Sequence, residues 1–212
     1  MDALGLVTAA GKSTRMGGFP KPLLWFGEDR FVERIVGTYQ ESGVDNQLVV
    51  LGYEAETVNE RAELASADSV YNENFESGML SSVQIGVHHA KTLGVEGMFL
   101  WPVDFPCVTS DIAKQLWQRF QDTDADIAVP AYQGDRGHPA LFGRSTFTKL
   151  LEAPETEGAR AVVYSDEIEV VEVEVSTNRI LVDIDTPTEY WDAVKNYEPD
   201  YSSDRQTVKR ER

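Results

Sequence analysis

Short apolar runs rich in Val, Leu, Ile and Phe recur along the chain at 4–8, 47–51, 69–71, 97–101 and 126–129. Each has the length and composition of a buried strand. Between them, apolar positions repeat with helical period over roughly 30–42, 54–66, 79–92 and 110–121. Gly43 and Gly94 sit where two of these helices should stop, and Ser110 with Asp111 suits the start of another. The alternation predicts an α/β domain, a mostly parallel twisted sheet with helices on both faces. The second half reads differently. Residues 139–142 and the alternating 168–175 predict strands of a small antiparallel addition, and a helix near 187–196 closes the domain. Residues 198–212 mix charges without an apolar period and predict a disordered tail, leaving 1–197 as one domain.

Composition narrows the picture. The chain has 212 residues, 42% of them apolar and 26% charged, as expected of a globular domain with a real core. Acids outnumber bases 36 to 19, a net charge of −17 that argues against nucleic-acid binding. The single cysteine, Cys107, excludes an internal disulfide and fits a reducing cytosol. The chain enters its first strand without a charged-then-apolar leader, and no apolar run approaches the ~20 residues of a membrane span. A cytoplasmic location without membrane attachment is expected.

The first strand breaks into Thr8-Ala9-Ala10-Gly11-Lys12-Ser13-Thr14-Arg15-Met16-Gly17-Gly18-Phe19-Pro20-Lys21. Such a junction leaves backbone N–H groups pointing outward, and small residues let a ligand approach them. Lys12, Arg15 and Lys21 add three cations, and residues 1–27 hold only one acid, Asp2. A phosphate would bind here. It is not a Walker A loop, because Leu6 stands where the first glycine is needed, and the three-glycine dinucleotide pattern is absent too. Lys21, between Pro20 and Pro22, reads as an exposed loop cation able to reach a phosphate.

Two acidic places follow. Asp104 comes just after the strand at 97–101, at the carboxyl edge where open α/β sheets bind ligands, in a turn stiffened by Pro102 and Pro106. Asp183 and Asp185 lie two apart on an extended segment, so they share one face. Thr186 then caps a helix that begins with Pro187. Together with Asp104 these carboxylates suit magnesium, a hard cation that favours oxygen ligands. Asp185, next to the cap, is favoured over Asp183.

The opening resembles that of the MobA-like nucleotidyltransferases of molybdenum cofactor synthesis, which read roughly Leu-Ala-Ala-Gly-x-Ser-x-Arg-Met-Gly, a spacer and Lys. Thr8 is the main departure. Asp104-x-Pro106 and Asp183-Ile184-Asp185-Thr186-Pro187 match the family's metal-holding segments, with Val103 replacing a glycine. The resemblance spans about residues 4–195 and implies a nucleotide-diphospho-sugar transferase-like, Rossmann-like fold. It implies that Thr8 to Lys12, Arg15 and Lys21 bind the nucleotide, with Arg15, Lys21 and Asp104 catalytic. Asn72 with Gly78-Met79-Leu80-Ser81-Ser82 resembles a motif near the base, although the same residues make a good helix start. Arg136-Gly137-His138-Pro139 and Gly158-Ala159-Arg160 resemble acceptor-side loops, so His138 and Arg160 are placed there.

Gly-Met-x-Ser-Ser, Gly-His-Pro and Ala10 are closer to the cytidylyltransferases than to the guanylyltransferases. The implied reaction joins CMP from CTP to the molybdenum cofactor with release of pyrophosphate, using Mg2+, and a molybdoenzyme is a conceivable recipient of the product. GTP, a sugar or alcohol phosphate acceptor, or a non-catalytic nucleotide-binding role in molybdoenzyme maturation are the alternatives.

Overall fold

The computed structural model describes residues 1–64 and 67–197. The tail expected at 198–212 lies outside the described residues. Among the described residues ten strands form in chain order: β1 (Ala3–Ala9), β2 (Trp25–Phe26), β3 (Asp29–Arg30), β4 (Asn46–Leu51), β5 (Asp68–Tyr71), β6 (Gly97–Pro102), β7 (Ile127–Tyr132), β8 (Asp135–Arg136), β9 (Ala140–Gly143) and β10 (Val170–Glu174). The α-helices are α1 (Phe31–Ser42), α2 (Ala55–Arg61), α3 (Met79–Leu93), α4 (Ser110–Gln121), α5 (Phe147–Glu152), α6 (Arg160–Val163) and α7 (Pro187–Tyr197). None is long and apolar enough to cross a membrane.

The main sheet runs β10-β7-β9-β6-β1-β4-β5, with β8 paired to β7, and β2-β3 form a separate two-stranded ribbon. All pairings of β1 with β4 and β6, and of β4 with β5, are parallel. Every residue of β1 and β6 is buried, the pattern of a strand covered on both faces. Along β1, Leu4 and Leu6 face one core with Val83, Val87, Leu150 and Val162, on the α3, α5 and α6 side. Val7 and Ala9 face the other with Ile35, Tyr39, Ile112 and Ile184. Gly5 is required on that second face, since a Cβ there would meet the Tyr39 ring at 2.8 Å.

The antiparallel part differs from expectation. Within the main sheet only β9 and β8 are antiparallel, with β9 inserted between β6 and β7 rather than appended. β10, expected in the antiparallel addition, pairs parallel to β7. Alternation of Val171 and Val173 with Glu172 and Glu174 specifies a half-exposed strand, but it carries no information about direction. Two boundaries also differ, and one element was not expected. The helix expected at 54–66 ends at Arg61, the cap of α4 is Thr109 instead of Ser110, and the β2-β3 ribbon has strands of only two residues each, too short for a periodic signal. Gly43 and Gly94 end α1 and α3 in left-handed conformations, as expected.

Candidate functional site

Because β6, β1, β4 and β5 are parallel, their carboxyl ends lie along one edge, and the expected loop residues gather there with Asp104 and Asp185. A cleft of about 320 Å³ is lined by Thr8 to Arg15, Lys21, Gly78, Met79, Ser82, Pro102, Asp104 and Asp185, among others. After Ala9 the chain leaves the sheet, and the N–H groups of Gly11, Lys12 and Ser13 donate to no acceptor among the described residues. Ser13, Gly17 and Gly18 all adopt left-handed conformations, which folds the loop back on itself. The Ser13 hydroxyl accepts from the Lys21 N–H at 3.1 Å and fixes the returning limb. The loop also touches β4, where a Cβ on Gly52 would meet the Ala10 carbonyl at 2.7 Å.

The fold-back puts Lys21 somewhere the sequence reading did not. The residue is 9% exposed instead of lying on the surface. Its ammonium donates to Asp185 and lies 3.6 Å from Asp104. Arg15, much more open, meets the other Asp185 oxygen at 2.6 Å. Lys12 pairs with Glu76 and lies 6.0 Å from the Phe75 ring, joining the loop to the turn before α3.

The two acidic segments are tied to each other through backbone, with the Ile184 N–H donating to the Asp104 carbonyl at 2.9 Å. Asp185 is held by the helix start that follows it. Glu189 accepts from the Asp185 and Thr186 N–H groups at 2.9 and 2.8 Å, while its own N–H donates to the Thr186 hydroxyl at 3.3 Å. Asp104, Asp183 and Asp185 each offer an oxygen within 4.8 Å of the others. Burial raises the Asp104 carboxyl above its ordinary range despite Lys21 beside it. Partial burial, with Asp104 and Asp185 as negative neighbours, pushes Asp183 up to about 6. Oδ1 of Asp104 is buried with no partner. An unpartnered carboxylate oxygen among three converging acids fits a hard divalent cation.

Other expected residues fall away from the cleft wall. Asn72 is 2% exposed, and its amide donates to the Ser81 and Ser82 hydroxyls at 2.8 and 3.0 Å. It sets the start of α3, and of these three residues Ser82 alone lines the cleft. His138 is enclosed, with its ring 4.7 Å from that of Phe105 and its Nδ1 unpartnered. Burial lowers its pKa to about 4, so the ring is neutral. Arg160 is on the surface at the start of α6, outside the cleft lining. The sequence reading missed Phe75, which lines the cleft, and Glu76, which pairs with Lys12; a short turn between β5 and α3 gives no periodic signal.

Three comparisons place this geometry among known proteins. The profile of the MobA-like NTP transferase domain matches residues 5–170. The molybdenum cofactor cytidylyltransferase of Escherichia coli K12 is 29% identical over 201 residues, 91% of this chain and 95% of that protein. A molybdenum cofactor guanylyltransferase of Cereibacter sphaeroides is 31% identical over 141 residues, 66% of this chain and 67% of the relative. Among solved structures, a protein of Mycobacterium tuberculosis H37Rv superposes with a TM-score of 0.78 at 26% identity, covering 92% of this chain and 98% of that one.

Proposed function

We propose, from the premise that the chain belongs to the MobA-like NTP transferase family, that it transfers CMP from CTP to molybdenum-bearing molybdopterin and releases pyrophosphate, with Mg2+. The observation that carries this reading is the convergence of Asp104, Asp183 and Asp185 beside a loop whose Gly11, Lys12 and Ser13 N–H groups are unpaired. The E. coli cytidylyltransferase supports CTP, since its alignment runs over 91% of the chain. Ala10, whose methyl narrows the space beside the loop, also favours the smaller pyrimidine. The guanylyltransferase alignment, at 31% identity over a shorter stretch, favours a second reading in which GTP is the donor.

The chemistry asks for positioning and charge compensation. An oxygen of the acceptor's terminal phosphate attacks the α-phosphorus in line, and the bond to the β-phosphate oxygen breaks with pyrophosphate leaving. No covalent enzyme intermediate is needed. The N–H groups of Gly11, Lys12 and Ser13 donate to phosphate oxygens, while Arg15 and Lys21 compensate the charge that grows on the leaving pyrophosphate. Asp104 and Asp185 would hold a divalent cation, which would supply further neutralisation of the reacting phosphates. Met79 and Phe75 offer the base an apolar wall.

The test is pyrophosphate release with each NTP, Mg2+ and isolated molybdenum cofactor. Release with CTP well above that with GTP is expected. A preference for GTP moves the assignment to the guanine dinucleotide, and no release with any NTP overturns it.

A further inference from the structure

Asp104 lies on an irregular stretch, 103–109, between the end of β6 at Pro102 and the start of α4 at Ser110. Pro106 removes one backbone N–H from it, so the stretch is not held by a ladder of its own. Four consecutive carbonyls are taken instead by donors from four different parts of the chain. The Asp104 carbonyl accepts from the Ile184 N–H at 2.9 Å, and the Phe105 carbonyl from the Trp101 indole N–H at 3.0 Å. The Pro106 carbonyl accepts from Arg34 Nε on α1 at 2.7 Å. The Cys107 carbonyl accepts from Arg179 Nη1 at 3.2 Å, out of the 3-10 turn Asn178–Leu181.

The two arginines are the unexpected donors. Acids outnumber bases 36 to 19, yet neither guanidinium joins an ion pair among the described residues. Arg34 acts on a carboxyl only from further off, tempering the rise that burial gives Asp29. Each guanidinium rests on a ring that fixes its plane, with Cζ of Arg34 5.3 Å from the Phe26 centroid and Cζ of Arg179 5.5 Å from that of Tyr197. Pro106 and Cys107 are buried, so a carbonyl left unpaired there is costly, and charged donors make the stronger bonds. Arg179 stands four residues before Asp183. Its bond to Cys107 therefore ties the two acidic segments a second time, beyond the contact of Ile184 with Asp104. Neither arginine lines the cleft, so neither meets a ligand there directly.

We propose that Arg34 and Arg179 are positioning residues that hold Asp104 in register with Asp183 and Asp185, and so set the geometry of the divalent-cation site. The proposal rests on the transferase reading for its consequence and adds to that reading the clamp on its acids.

The test is calorimetric titration of the full chain with Mn2+ in the absence of nucleotide, beside turnover. Removing a positive charge near three acids would by itself strengthen cation binding, so a loss of affinity reports geometry. Arg34→Met and Arg179→Met should each bind Mn2+ about tenfold more weakly and lower kcat by a similar factor, the scale of losing a partner that orients a metal ligand. CTP binding without metal should be unchanged. Arg179→Lys, which keeps a charged donor, should recover most of the Mn2+ affinity. Arg144→Met is the control, because Arg144 Nε donates to the Val95 carbonyl at 2.8 Å near the opposite end of β6. It should leave Mn2+ binding and kcat as in the wild type.

Wild-type Mn2+ affinity, tighter binding or wild-type turnover in Arg34→Met or Arg179→Met overturns the role of that arginine. Equal weakening by Arg144→Met, a parallel loss of metal-free CTP binding, or loss of cooperative melting in both variants means general support of the fold and overturns the clamp. The two ideas fail separately. Weaker Mn2+ binding in both variants, with no pyrophosphate release by the wild type, keeps the clamp and defeats the transferase reading. Pyrophosphate release that is the same in the wild type and both variants does the reverse.

Discussion

The two flanks of the carboxyl edge handle positive charge differently. On the β1 side each cation of the loop sits on a carboxylate: Lys21 and Arg15 on Asp185, Lys12 on Glu76. On the β8–α6 side Arg136 and Arg160 rest on the Tyr164 ring. The first arrangement is compensated without a ligand, so in the proposed reaction a triphosphate would draw Arg15 and Lys21 off Asp185. That exchange would uncover a carboxylate for a metal-bearing phosphate. On the second flank Arg136 is likewise paired with Glu172, at 2.7 Å, and only Arg160 joins no ion pair among the described residues.

The largest effect expected from this difference falls on the acids. Asp104→Asn should lower turnover by roughly 1,000-fold, the upper range for removing one group from an electrostatic site. The variant should still melt cooperatively, at or above the wild-type temperature, because the charged carboxyl is already disfavoured by burial. Pyrophosphate release and thermal melts check both halves. Near-normal turnover would remove Asp104 from the reaction.

Lys21→Ala should lower turnover by about 100-fold and, unlike Arg160→Gln on the other flank, should also destabilise the fold. Lys21 is nearly buried between two acids, and deleting it leaves Asp104 without a cation and Asp185 with Arg15 only. A loss of about 2 kcal/mol is expected, below the full cost of breaking a buried pair because Arg15 remains. Urea titration of both variants measures it, and equal stability would contradict the contrast.

The residue that links the flanks titrates: His138 follows Arg136 by two and packs on Phe105, the neighbour of Asp104. His138 has a folded-state pKa lowered to about 4 from 6.5, so between those values the unfolded chain binds the extra proton. Stability from keeping it neutral is complete above about pH 6.5 and is lost as pH falls towards 4. Asp183, raised to about 6, works in the opposite sense over part of that window, so the variant comparison is the informative one. His138→Gln should gain on the wild type by about 2 kcal/mol between pH 7 and pH 4.5. A constant difference across that range would place the ring in solvent.

How far these features could be read from sequence depends on whether the physics is local. The strands of the parallel core were legible because burial on both faces writes continuous apolar runs, as in Leu4 to Val7 and Met98 to Trp101. The Asp183-Asp185 pair and its Thr186 cap were legible for the same reason, a fixed offset along one segment. The direction of β10 was not, since alternation is identical in parallel and antiparallel edges. Nor was the burial of Lys21, which depends on three left-handed residues folding a twelve-residue loop under itself. The contacts of Arg136 and Arg160 with the Tyr164 ring join β8 to α6 through space, and no spacing in the chain records them.

The smallest effect is the most discriminating. If Arg15 holds Asp185 in the ligand-free protein, removing that cation should make the acids a better metal site while making the loop a worse triphosphate site. Arg15 is largely exposed, so its pair with Asp185 is screened and contributes on the order of 1 kcal/mol, or about fivefold in affinity. Arg15→Gln should therefore bind Mn2+ about fivefold more tightly than the wild type in the absence of nucleotide, by calorimetric titration. The same variant should bind CTP more weakly in the absence of metal. Opposite signs for the two ligands are what charge exchange requires. A loss of affinity for both would mean that Arg15 positions the acids instead of competing for them, and no change in Mn2+ binding would mean that the pair at 2.6 Å does not persist in solution. The matching change on the other flank, Arg160→Gln, should leave Mn2+ binding untouched, because no carboxylate of the metal cluster faces that guanidinium.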